Sequence, residues 1–136
     1  MADFAPTPAN VVASTNALVA TGIAAAAIVA GDLLAALANG TITQSDANGI
    51  GTLSIVVGVA LHAASTGQPI RYVTQDPSFT PGFTSTIGVT VIASGTVGKM
   101  CPDADKTSSW FVTEIGHFIS TTQMKLILVP VGVAIP

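Results

Sequence analysis

The stretch "ALVATGIAAAAIVAGDLLAAL", Ala17 to Leu37, carries one charge, Asp32. Four readings compete for it: a signal-peptide core, a membrane span, a buried helix and a strand. A secretory signal needs a basic segment ahead of its apolar core. The first basic residue of this chain is Arg71, and the N-terminus "MADFAPTPAN" offers Asp3 and two prolines instead. A spanning helix needs about 20 mainly apolar residues and basic flanks to orient it. Here Asp32 interrupts the run, and no Lys or Arg flanks it. Local propensity leaves helix and strand near parity. Ala24 to Ala27 favours a helix, whereas Gly22 and Gly31 bracket the run, and Ile23, Ile28 and Val29 form no stripe of helical period.

A pattern farther along the chain separates the two. "AGDLLAALANGTITQSDA" (Ala30 to Ala47) aligns without gaps on "IGVTVIASGTVGKMCPDA" (Ile87 to Ala104), matching Gly31 with Gly88 and Asp46 with Asp103. "VVGVAL" then meets "EIGHFI", with Gly58 on Gly116, and "STGQPIRYV" meets "STTQMKLIL", all at offsets of about 55 to 58 residues. Each half has an apolar segment, a small-residue turn (Asn39-Gly40 or Ser94-Gly95), a second segment, an Asp-containing loop, a Gly-centred third segment and a strongly β fourth. Asn-Gly between apolar runs is a hairpin signal. Gly58 and Gly116 inside strands point to bulges or close backbone approach. The second copy "IGVTVIAS" is β-branched and reads as a strand. "GDLLAALA" therefore reads as a strand too, with Ala24 to Ala27 an extended segment leading into it.

Composition bounds the function. The 136 residues suffice for one domain. Only 8% are charged, against about 25% in an average protein. Such a surface is poorly defended against association and fits a protein that spends its life packed on other protein. The net charge is −3 and the four basic residues are scattered, so no phosphate-binding face can be assembled and nucleic acid is disfavoured as a partner. Cys101 stands alone, which excludes an intrachain disulfide and a cysteine zinc cluster; it reads as a buried structural thiol. His62 and His117 occupy different positions of the repeat and make a weak metal case. Asp103 and Asp105 alternate in a Pro-containing loop, which reads as a solvated turn. There is no Gly-x-Ser-x-Gly elbow and no phosphate-binding glycine loop. The expectation is a protein that is not an enzyme and carries no cofactor or metal.

Residues 1–16 read as an N-terminal arm kept extended by Pro6 and Pro8, with little to anchor a core; a frayed tail and an arm ordering on a neighbour stay open. Residues 17–136 read as one β domain, with half-repeats at about 30–73 and 87–129. Phe79 and Phe83 flank the Pro81-Gly82 turn between the halves, and packing within the subunit is their favoured role. Trp110 beside Phe111 reads as a core or subunit-interface pair. The apolar tail "LILVPVGVAIP" calls for a cover, from its own core or a partner chain.

The segment "GVALHAASTGQPIRYVTQDPSFTPG", Gly58 to Gly82, resembles the head-decoration, or cement, proteins of tailed bacteriophages. The matching positions are Gly58, Ala60, Leu61, Ala63, Ala64, Gly67, Gln68 and Pro69, with Pro102-Asp103-Ala104-Asp105 a looser match. The similarity runs from roughly residue 20 to the C-terminus; Met100-Cys101 and Trp110-Phe111 depart from the family's smaller residues. It implies a small β-barrel or sandwich, tulip-like or jelly-roll-like, on the outer face of an icosahedral head. It implies no enzymatic activity. The implied partners are the major capsid protein and further copies of this chain, a homotrimer being favoured and a dimer the alternative. The candidate capsid or subunit contacts are Phe4, Pro6, Pro8, Phe79, Phe83, Trp110 and Phe111. The competing reading is a virion-displayed module for a glycan or host surface, using Trp110 or Asp103 to Asp105. A small hydrolase using the two histidines ranks last.

Overall fold

A computed structural model describes residues 3–47, 51–105 and 111–134. The protein is mainly β. Its strands are β1 (Val11–Val12), β2 (Leu18–Ile23), β3 (Leu33–Ala36), β4 (Ile42–Gln44), β5 (Gly58–Ala60), β6 (Pro69–Pro81), β7 (Thr90–Ala93), β8 (Met100–Pro102), β9 (Phe111–Phe118) and β10 (Met124–Ala134). Three single-turn 3-10 segments, Pro8–Asn10, Gly51–Ser54 and Asp103–Asp105, accompany them. All strand pairs are antiparallel, and the sheet runs in the order β4-β3-β5-β6-β10-β9-β7-β8, curled into a half-barrel.

The stretch from Ala17 to Leu37 is not a helix. It supplies two strands, β2 and β3, joined by an extended crossing. The Ala24 N–H donates to the Gln68 carbonyl (2.9 Å) and that of Ala25 to the Ile42 carbonyl (2.7 Å). These tertiary bonds take the donors that an α-helix would use internally, so context overrides the alanine propensity. Ala24 and Ile28 are buried, in a small core with Leu34, Ile42, Ala60, Ala64 and Ile70. From Ala24 to Ala35 the run's apolar residues thus serve largely to pack the chain on itself, whereas Leu18, Val19, Ile23 and Val29 stay exposed.

The thirteen-residue β6 is the spine of the sheet. Val73 pairs with Val19 of β2 and with Val59 of β5, which places those strands on opposite edges of β6. Gln75 likewise faces Leu18 on one edge and Ile127 of β10 on the other. A strand has two edges, so β5 and β10 share one in succession while β2 and β1 share the other. Register shifts between Leu18 and Val19 and between Met124 and Leu126 mark bulges. Bulges increase local twist and bend the strand, as the curl of the sheet requires.

The two glycines expected inside strands do permit close approach. A Cβ on Gly58 would lie 2.5 Å from Tyr72 Cδ2 and 2.6 Å from the Val73 carbonyl oxygen. Gly116, at φ +151, would drive one into the Lys125 carbonyl oxygen. The Asn39-Gly40 turn closes the β3–β4 hairpin, with Asn39 Oδ1 accepting from the Thr41 N–H (3.1 Å) and hydroxyl (2.6 Å).

The β7–β8 turn docks on the first hairpin. The Leu33 N–H donates to the Gly98 carbonyl (3.0 Å), and the Gly98 N–H to the Ser45 carbonyl (2.8 Å). Buried Asp32 braces this junction, accepting from the Val29 N–H (3.0 Å) and Gln44 Nε2 (2.9 Å). The larger core lies inside the curl and includes Leu33, Val59, Val73, Phe79, Val91, Ile115, Phe118, Met124 and Leu126.

Residues 3–16 lie along the chain's own body, and the expectation that little there could anchor a core is corrected by Phe4. Its ring packs on the larger core, and its N–H donates to the Met100 carbonyl (2.9 Å). The Thr7 N–H donates to the Gly82 carbonyl (2.9 Å), and β1 pairs with Thr80 and Pro81 of β6.

Candidate interaction surface

The residues singled out as contacts separate by burial. Phe79 is 0% exposed. It faces Met124 across β6 and β10 and has no surface left to touch a partner, which corrects its place among the candidates. Phe4 and Phe83 stack with ring centroids 4.3 Å apart and planes inclined by 10°, and both lean on Phe118 at 6.3 and 5.7 Å. They clamp the N-terminal segment to the domain, with partly buried rings. Pro6 sits over Gly31, its Cβ 2.8 Å from where a Cβ on that glycine would lie. Pro8 is exposed and opens the Pro8–Asn10 turn. Trp110 lies outside the described residues, and Phe111 begins β9.

A groove of about 380 Å³ opens beside the clamp, lined by Asn10, Val12, Thr80, Phe83, Thr84 and Thr122 among others. Its walls are methyl groups, threonine hydroxyls, the Phe83 ring and the Asn10 carboxamide, without a charge. Val12, 55% exposed, continues outward into β2, where Leu18, Val19 and Ile23 are also exposed. All four lie along one edge of β6. No charged residue occurs between Asp3 and Asp32. Four large aliphatic side chains are thus exposed along this strand edge. Sequence reasoning did not find it. The alternation Val19, Thr21, Ile23 is a strand signal of period two, but the alanine run beside it dominated the reading.

The polar candidates do not converge. The Arg71 N–H donates to His62 Nε2 (3.0 Å), so Nδ1 carries the ring proton and donates to the Ala63 carbonyl (2.9 Å). His62 is thereby a brace between β6 and its preceding turn. His117 stands on the outer face of β9 opposite Lys125. No group of three or more His, Cys, Asp or Glu among the described residues could hold a metal ion. Cys101 is buried, and its thiol is pushed up to about 12, chiefly by burial and further by the carboxylates of Asp3 and Asp105. It stays protonated at neutral pH and is a poor nucleophile.

The Gly67-Gln68-Pro69 element, central to the resemblance, forms the turn into β6. Gly67 has φ +86, and Gln68 Oε1 accepts from the Ser65 N–H (2.8 Å). The same turn exchanges backbone hydrogen bonds with Ala24 through Gly67 N–H and the Gln68 carbonyl. Its residues shape the fold and hold the alanine run in place. No protein-family model matches this chain, and no curated protein matches it either.

Proposed function

We propose that the protein is a structural virion component that binds the outer face of an assembled phage head and stabilises it by bridging major capsid protein subunits. The observation that carries this reading is the uncharged apolar edge formed by Val12, Leu18, Val19 and Ile23. It is a surface suited to burial against protein. The resemblance from Gly58 to Pro69 supplies the class of partner. The work done is binding rather than chemistry. A ligand that binds only the assembled lattice stabilises that lattice by mass action, and repeated attachment through an oligomer multiplies weak contacts.

Self-association belongs to this reading, as a trimer or a dimer. So does a domain built of two repeated halves. The strand order supports the repeat: β4-β3-β5-β6 lead inward and β10-β9-β7-β8 lead outward, each strand matching its counterpart by role.

Heads assembled with and without the chain, then heated or osmotically shocked, test the function. Heads carrying it should survive a higher temperature and a larger osmotic step. Equal survival would overturn the stabilising role.

A further inference from the structure

Residues 3–12 are held at a few discrete points that lie far apart in the sequence. Asp3 Oδ1 accepts from the Ser94 hydroxyl (2.5 Å), and the Phe4 N–H donates to the Met100 carbonyl of β8, the last strand of the sheet order. Farther along, the segment rests on two glycines. A Cβ on Gly31 would lie 2.8 Å from Pro6 Cβ and 3.3 Å from Val11 Cγ2. One on Gly82 would lie 2.8 Å from the Thr7 carbonyl oxygen and 3.1 Å from Val11 Cγ2. Val11 lies against both glycines and so links the Pro6 contact to the Thr7 contact.

Between these points the segment is stiff and exposed. Pro6 and Pro8 each fix a backbone φ, and the Asn10 N–H closes a turn on the Thr7 carbonyl (2.9 Å). Of residues 3–12 only Val11 is buried. The sheet depends on them little: β1 contributes two residues to the pairing on β6, against six from β2. The two cores draw Val11 alone from this segment, with Phe4 packed at the margin of the larger one. Just past β1 the situation reverses, because the buried Asp76 carboxylate holds both the N–H and the hydroxyl of Ser14.

We propose that residues 3–12 are a strap that detaches from the sheet as one unit, pivoting at Ser14, while the rest of the fold stays intact. Segments with few buried apolar contacts open at lower free energy than the core. Linked anchors and a stiff chain between them make that opening concerted, since lifting Val11 frees the beds of Pro6 and Thr7 together. Opening uncovers the Phe83 ring and the wholly buried Phe118 ring on which Phe4 leans. It also frees the Met100 and Gly82 carbonyls that Phe4 and Thr7 occupy. The strap thereby governs access to an apolar seat with two backbone acceptors. This behaviour belongs to the chain by itself and does not depend on what the protein binds.

Amide hydrogen exchange on the full chain, followed residue by residue by NMR in a urea series below the unfolding transition, tests the proposal. The Phe4 and Thr7 amides should share one protection factor within about threefold, at least about a hundredfold below that of Leu33, whose N–H donates to Gly98 within the sheet. Ser14 should be protected at least about tenfold more than Phe4. Exchange at Phe4 and Thr7 should depend only weakly on urea, because the opening exposes little surface. Phe4→Ala should speed exchange at Thr7 at least about fivefold, although Thr7 sits on Gly82 and not on the aromatic stack. Exchange of Phe4 and Thr7 at the rate and urea slope of Leu33 would mean that the strap opens only with the whole fold, and would overturn the proposal. So would protection factors at Phe4 and Thr7 that differ by more than about threefold, or a Thr7 rate unmoved by Phe4→Ala, since either means that the segment frays residue by residue.

Discussion

The carboxylate of Asp76, wholly buried in the centre of β6, accepts hydrogen bonds from both the N–H and the hydroxyl of Ser14. The backbone contact is 2.7 Å, and Asp76 Oδ1 also accepts from the Ser78 N–H at 2.9 Å. One side chain thereby fixes the segment between β1 and β2 to the spine of the sheet.

Replacing Asp76 by Ala removes the acceptor of these three part-buried donors. A loss of about 3 kcal/mol is expected, against about 1.5 kcal/mol for Ser14→Ala, which removes the hydroxyl and keeps the backbone bond. Denaturant midpoints followed by circular dichroism check both values. A smaller loss for Asp76→Ala than for Ser14→Ala would contradict this role.

The Phe4–Phe83 stack should be measurable as a coupling. Each single Ala replacement should cost about 2 kcal/mol, less than a fully buried ring because both are partly exposed. A double-mutant cycle should return a coupling of about 1 kcal/mol. Additive effects would mean that Phe4 is not held by the stack.

Two glycine replacements should separate conformational strain from steric conflict. Around Gly40, at φ +86, a Cβ would meet nothing within 4 Å, so Gly40→Ala should cost only the left-handed penalty of about 1 to 2 kcal/mol. Gly116→Ala drives a methyl into the Lys125 carbonyl and should either prevent soluble expression or cost more than about 4 kcal/mol. Comparable stability of the two variants would refute the close pairing of β9 and β10 at this point.

The alkaline limb of stability should depend on Cys101. Its folded thiol titrates at about 12, against 9.0 for an unperturbed one. The folded protein therefore holds this proton more tightly than the unfolded chain. The resulting stability is complete below pH 9 and is lost as pH rises from 9 towards 12. Cys101→Ala should flatten that decline in urea midpoints measured from about pH 8 to 11. An unaltered slope would show that another group governs it.

What could be read in the sequence was what local chemistry dictates. Asn39-Gly40 specified its turn because both residues act within a few positions of the chain. Gly58 and Gly116 stood out because a residue without a Cβ is unusual inside an apolar strand. The strand character of Leu33–Ala36 required comparison with Ile87 to Ala104, since Leu and Ala alone do not prefer β structure. The remainder depended on partners distant in sequence. Leu18–Ile23 becomes a strand because β6 offers it an edge some fifty residues later. Phe4 becomes an anchor only when Phe83 and Phe118 are brought together, and nothing near Asp76 in the sequence announces Ser14. Phe79, read beside the Pro81-Gly82 turn as packing within the subunit while also a candidate contact, closes the core. Of the interaction surface, the dearth of charge was legible, whereas the place where Val12, Leu18, Val19 and Ile23 stay exposed was not.

The arrangement of residues 3–16 bears on how the protein is made. This segment leaves the ribosome before any surface on which it finally rests. Gly82, Met100 and Phe118 all come later, and at about 5 to 20 residues per second the last of them trails residue 16 by roughly 5 to 20 s. For that interval β2 lacks the long strand β6 on which it finally pairs. A nascent chain with so little charge is then exposed to premature pairing with its neighbours on the same message. Synthesis rate, and not only final stability, should therefore set the yield of correctly assembled protein.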